Sequence, residues 1–176
     1  PYFTVVEHAV SELGVTYRVY AQFENAGDEC IAMYAVGSGE LNPADLNLGV
    51  STSFYQHPQG ADFGSDIQSF FFSSLPNMVY DSWLTIGSET SNDGPVSAMG
   101  LGDAMDSFNA GNGFSIDNPG GGSWFVTPGS NAGAIAGENG QVLVAQLTVT
   151  AEDEVGVING LWNMQWRNAT GDPTNT

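Results

Sequence analysis

Three stretches of this chain alternate apolar and polar residues with a period of two, and that pattern constrains the fold most. In residues 15–23, Val15, Tyr17, Val19, Ala21 and Phe23 share one parity, while Arg18 and Gln22 take the other. A β-strand sends successive side chains to opposite faces, so this segment buries the first set and shows the second. Residues 141–150 repeat the pattern through Leu143, Ala145, Leu147 and Val149. Residues 156–167 place Trp162, Met164 and Trp166 on one side. Weaker strands are expected at 3–9, 30–36, 48–56, 78–86 and 123–127.

Turn residues separate these runs. Glycine accounts for 23 of 176 residues, about 13% against a usual ~7%. Ser11-Glu12-Leu13-Gly14 reads as a hairpin turn in which Gly14 supplies the left-handed conformation. Residues 87–122 form the longest irregular stretch, punctuated by Asn92-Asp93-Gly94-Pro95 and Asn118-Pro119-Gly120-Gly121-Gly122. A short helix is expected at 66–74, capped by Ser65 and ended by Pro76, although Phe70-Phe71-Phe72 suits a buried strand equally. Strand and helix do not alternate, and no internal repeat is visible. The expected fold is therefore all-β: an antiparallel sandwich, jelly-roll-like, with long Gly-rich loops. Residues 1–176 read as one domain, processed or part of a longer chain.

Charge decides which partners are excluded. The chain has no lysine, two arginines (Arg18 and Arg167) and 20 acidic residues, a formal net charge of −18. Nucleic-acid binding needs cations to displace counterions from phosphates, so it is excluded. Anionic membranes repel such a surface, and no apolar run reaches the ~20 residues of a spanning helix. Ten Phe, six Tyr and four Trp distinguish the chain from acidic disordered sequences.

Catalytic signatures are missing. His8 and His57 are the only histidines, and no G-x-S-x-G elbow exists. Cys30 reads as a small buried hydrophobe or as half of a bond to another chain. One Cys and two distant His do not make a structural zinc site. Calcium takes only oxygen ligands, and acids in Gly-rich loops supply them. Glu89-x-Ser91-x-Asp93-Gly94 approaches an EF-hand loop but has Gly100 where the bidentate Glu belongs. Asp93, Asp103, Asp106 and Asp117 are the calcium candidates, with Asp28-Glu29 a looser pair. Divalent cations would also relieve repulsion among the carboxylates. Glu152-Asp153-Glu154 could serve a glycosidase, but its place between two strong strands suits a turn better.

Sugar binding uses exposed aromatic platforms. Trp124 and Trp162 are the candidates, Trp83 and Trp166 the remaining indoles; burial in the core is the competing reading. Asn168-Ala169-Thr170 is a glycosylation sequon beyond the last strong strand, which makes Asn168 the candidate acceptor.

Three segments carry a resemblance: Thr16-Tyr17-Arg18-Val19-Tyr20-Ala21, Tyr80-Asp81-Ser82-Trp83-Leu84-Thr85-Ile86-Gly87 and Gly121-Gly122-Ser123-Trp124-Phe125-Val126. Together they resemble poorly characterised secreted modular β-domains of marine microbes. The resemblance spans most of the chain, implies an extracellular modular setting and transfers no functional residue. The expectation is a non-enzymatic structural or adhesive module at the cell surface, self-associating or joined to neighbouring modules in a filament, surface layer or matrix. A carbohydrate-binding module is the alternative, and a glycoside hydrolase or lyase stands third.

Overall fold

The structure, a computed structural model, describes residues 1–36, 46–116, 119–150 and 156–175. Its elements are β1 (Tyr2–Ser11), β2 (Gly14–Gln22), β3 (Glu29–Ala35), β4 (Leu46–Val50), β5 (Trp83–Leu84), β6 (Ser97–Met99), α1 (Gly102–Asn109), β7 (Phe114–Ser115), β8 (Gly122–Phe125), β9 (Gln141–Val149), β10 (Ile158–Arg167) and β11 (Pro173–Asn175). They build two antiparallel sheets. One has four strands in the order β1-β2-β9-β5. The other has seven, ordered β6-β8-β3-β10-β4-β7, with β11 added beside β10. The all-β sandwich anticipated from the period-two pattern is therefore present.

The three strong alternations become β2, β9 and β10. Trp162, Met164 and Trp166 all face the space between the sheets, as their spacing predicts. Leu143 does not follow the expected parity. The β2–β9 register shifts at Val19/Tyr20, where Ala145 pairs with Val19 but Leu143 with Tyr20. Val144 is the extra residue of this bulge and joins the main core, and Leu143 turns to the opposite face.

Ala61, Ile67, Phe72, Leu75 and Met78 pack on the outer face of the four-stranded sheet, where they form a second small core with Tyr20, Trp83 and Leu143. The expected helix at 66–74 is replaced by separate 3-10 turns at Gly64–Asp66, Ser69–Phe71 and Pro76–Tyr80. The expected strand at 78–86 shrinks to β5. The physical reason lies in the sheet beneath: Gln146 donates from Nε2 to the carbonyls of Val79 and Asp81, both at 3.0 Å. Backbone groups satisfied by a side chain do not require a regular ladder.

Helix α1 is absent from the sequence expectations. It closes one end of the sandwich with Ala104, Met105 and Phe108, and Phe108 packs on Phe54 and Phe114 at centroid distances of 5.6 and 6.0 Å. The spacing Leu101, Ala104, Met105, Phe108 carries the helical signal. Among the described residues no helix is long and apolar enough to cross a membrane.

Candidate functional site

The four-stranded sheet ends at β1, a ten-residue strand paired only on its β2 side among the described residues. A two-residue turn, Glu12-Leu13, joins the two strands, with Ser11 opposite Gly14. Gly14 has φ +134°, and a Cβ there would lie 2.0 Å from the Val149 carbonyl oxygen. Glycine thus lets the hairpin seat directly on β9. Tyr2, Val5, Val6 and Val10 are all exposed on β1, Tyr2 and Val10 by 63% and 67%. Phe3 points inward, edge-on to Trp162 at 5.7 Å. Beside it, Val5 stands at the mouth of a cleft of about 130 Å³ between the sheets, lined also by Val19, Leu48, Leu147 and Ile158. An unpaired, apolar strand edge of this length is a template for another strand. The register shift at Glu7/Ala9 places a bulge at His8 and bends the edge there.

Both arginines are engaged within the chain. Arg18 reaches Glu89 at 2.6 Å and Gln146 at 3.3 Å. Arg167 holds Glu29 through Nε and Nη2, each at 2.5 Å, while the second carboxylate oxygen accepts from Gly129 N at 2.6 Å. Among the described residues, Glu89 and Glu29 are therefore the carboxylates paired with a cation. Asp28 is buried beside Glu29 and accepts from Ala169 N and the Asn25 carboxamide.

The described calcium candidates do not gather into a metal site. Asp93 spends its Oδ2 on the amides of Glu89 and Thr90, at 2.9 and 3.0 Å, and on the Thr90 hydroxyl, closing its own turn. Asp103 and Asp106 project from exposed positions of α1. Asp117 and the run Glu152-Asp153-Glu154 lie outside the described residues. Among the described residues no three of His, Cys, Asp and Glu gather to hold a metal ion.

Trp124 does not offer a platform. It is fully buried, its indole N–H donates to the Thr85 carbonyl at 3.1 Å, and Trp162 meets it edge-on at 5.4 Å. Trp162 is half-buried and donates to the Asn47 carbonyl at 2.9 Å. The core reading of these indoles holds because β8 and β10 turn the same parity inward: Met164, Met33 and Trp124 stand in one cross-strand row. Asn168 folds its carboxamide into its own turn, Oδ1 accepting from the amides of Thr170 and Asp172 and from the Thr170 hydroxyl.

Neither histidine meets a nucleophile. His57 Nδ1 accepts from Gln59 N at 3.1 Å, and His8 sits on the outer edge strand, its pKa lowered by partial burial and by Arg18. Cys30 is completely buried; burial and the neighbouring Glu29 push its thiol up, away from thiolate chemistry.

Sequence reasoning passed over Asp81 except as part of a motif. Its carboxylate is buried, with Oδ1 accepting from His57 N at 2.7 Å and Oδ2 from Ala61 N at 3.0 Å. It organises the 57–61 turn, and Gly60 packs so close that a Cβ would lie 1.9 Å from Oδ2. Burial outweighs these hydrogen bonds and pushes the carboxyl up from 3.8 to about 6. An acid raised in the folded state costs stability above its folded pKa and nothing below its unfolded one. Stability should therefore increase as pH falls from about 7 to 4, by up to roughly 3 kcal/mol from this group. Urea denaturation of wild type and Asp81→Asn at both pH values checks this. An equal gain in the variant would show that the other carboxylates produce it.

Comparison with known proteins matches no family model, no curated protein and no solved structure.

Proposed function

We propose that this protein is a non-enzymatic extracellular module with a structural or adhesive role, and that it assembles by adding a neighbouring strand to the free edge of β1. The observation that carries this reading is that edge: ten residues with apolar side chains exposed along it. Strand addition gives affinity through main-chain hydrogen bonds, which a chain of net charge −18 needs, since it cannot attract its own copies electrostatically. The same charge makes assembly dependent on salt. At about 1 M salt the Debye length falls to roughly 3 Å and repulsion between subunits is screened.

Sedimentation velocity and negative-stain electron microscopy at low and high salt test the proposal. Oligomers or fibres are expected at high salt and dispersal at low salt. Val6→Glu should shift assembly to at least about tenfold higher protein concentration. Val6 pairs with Arg18 across the ladder, so the isolated subunit accommodates the new carboxylate. A wild-type protein that stays monomeric at high salt and high concentration would sink the reading.

A further inference from the structure

The two outer faces of the sandwich differ. Ala61, Ile67, Phe72 and Met78 pack on that of the four-stranded sheet, whereas among the described residues that of the seven-stranded sheet bears an open groove. The open face is also almost free of charge. Among the described acidic residues, only Glu29 lies in the seven strands of this sheet, and it is buried against Arg167.

Register defines what this face displays, because directly opposed residues share a side of the sheet. One outward row runs Ser97, Phe125, Ala32, Gln165; the next runs Met99, Ser123, Tyr34, Asn163. The inward row between them is Met33, Trp124 and Met164, so the assignment agrees with burial. Tyr34 and Phe125 are diagonal neighbours, somewhat under about 7–8 Å apart at Cβ. They line an open groove of about 590 Å³ with Ile31, Met99 and Pro128 at its sides and Gln165 across it. Among the described residues, the carboxamides of Asn163 and Gln165 and the hydroxyls of Tyr34 and Ser123 have no hydrogen-bond partner in the chain.

We propose that this groove binds a neutral polysaccharide, with Tyr34 and Phe125 as the stacking surfaces and Asn163 and Gln165 as hydroxyl partners. An anionic polymer is repelled by the charge of the whole molecule, and a cationic one is drawn to the acidic loops instead. A dry protein interface would strand the free carboxamides, each of which needs donors and acceptors together. Sugar hydroxyls are both, and the apolar faces of sugar rings suit half-exposed aromatic rings. The site is independent of β1, which belongs to the other sheet.

A microarray of neutral glucans, mannans, galactans and xylans, with alginate as the polyanion, tests the proposal on the intact chain in low salt. Binding to at least one neutral polymer and none to alginate is expected. Tyr34→Ala and Phe125→Ala should each weaken it by about tenfold at unchanged melting temperature. Gln165→Ala, a change at an exposed position, should weaken it without affecting the fold. Silence on every neutral polymer overturns the proposal, as does binding that all three variants leave intact. A dimer that Tyr34→Ala dissociates would assign the face to a second copy instead. Val6→Glu should leave glycan binding unchanged, so failure of the β1 assembly and failure of this site are separable.

Discussion

Arg167→Met is expected to destabilise the fold by about 3–5 kcal/mol, the cost of leaving a buried carboxylate without its partner. Glu29 is 2% exposed, and its Oε2 faces two guanidinium nitrogens at 2.5 Å. After the substitution one hydrogen bond remains, from Gly129 N. That pair also ties β3, β10 and the turn around Gly129 together at one edge of the core. The double variant Glu29→Gln/Arg167→Met should recover much of the loss, since a neutral carboxamide still accepts from Gly129 and carries no charge to desolvate. Urea denaturation of the single and double variants gives both numbers. A loss under about 1 kcal/mol in Arg167→Met would mean that water reaches Glu29 and that the pair behaves as a surface salt bridge.

Trp124→Ala should cost about 3–5 kcal/mol through the cavity it leaves. Three consequences combine. The indole is fully buried; its N–H partner, the Thr85 carbonyl, loses its donor; and the edge-on contacts with Trp162 and Phe114, at 5.4 and 6.5 Å, disappear. For a domain of this size the melting temperature should fall by roughly 6–20 °C. Thermal unfolding followed by circular dichroism checks it. An unchanged melting temperature with altered ligand binding would move Trp124 to a surface and contradict the core described above.

Much of the fold was legible in the chain because alternation of period two survives wherever one face of a strand is buried. β10 follows its pattern closely; β2 turns Val19, Ala21 and Phe23 into the core as expected, but its other face is covered too, with Thr16 buried and Arg18 mostly so; and the Ser11–Gly14 turn is where glycine placed it. The candidate surfaces were less legible. β1 was readable as a strand, but that its outer side meets no other strand among the described residues is a property of sheet order, which local pattern does not encode. The groove of Tyr34 and Phe125 joins residues from β3 and β8, far apart in the chain and brought together by register alone. Tryptophan drew attention as the largest aromatic, yet Trp124 lies at a parity that points inward, while its neighbour Phe125 points out.

The sequence by itself determined the all-β class, the positions of the strong strands and the inward face of β10. These follow from periodicity, which is a local property. The tertiary structure alone decided the bulge that sends Val144 into the core and Leu143 out of it, the pairing of Arg18 with Glu89 and of Arg167 with Glu29, and the burial of Asp81. Each depends on which strands become neighbours, a non-local outcome of packing that no window of the sequence contains.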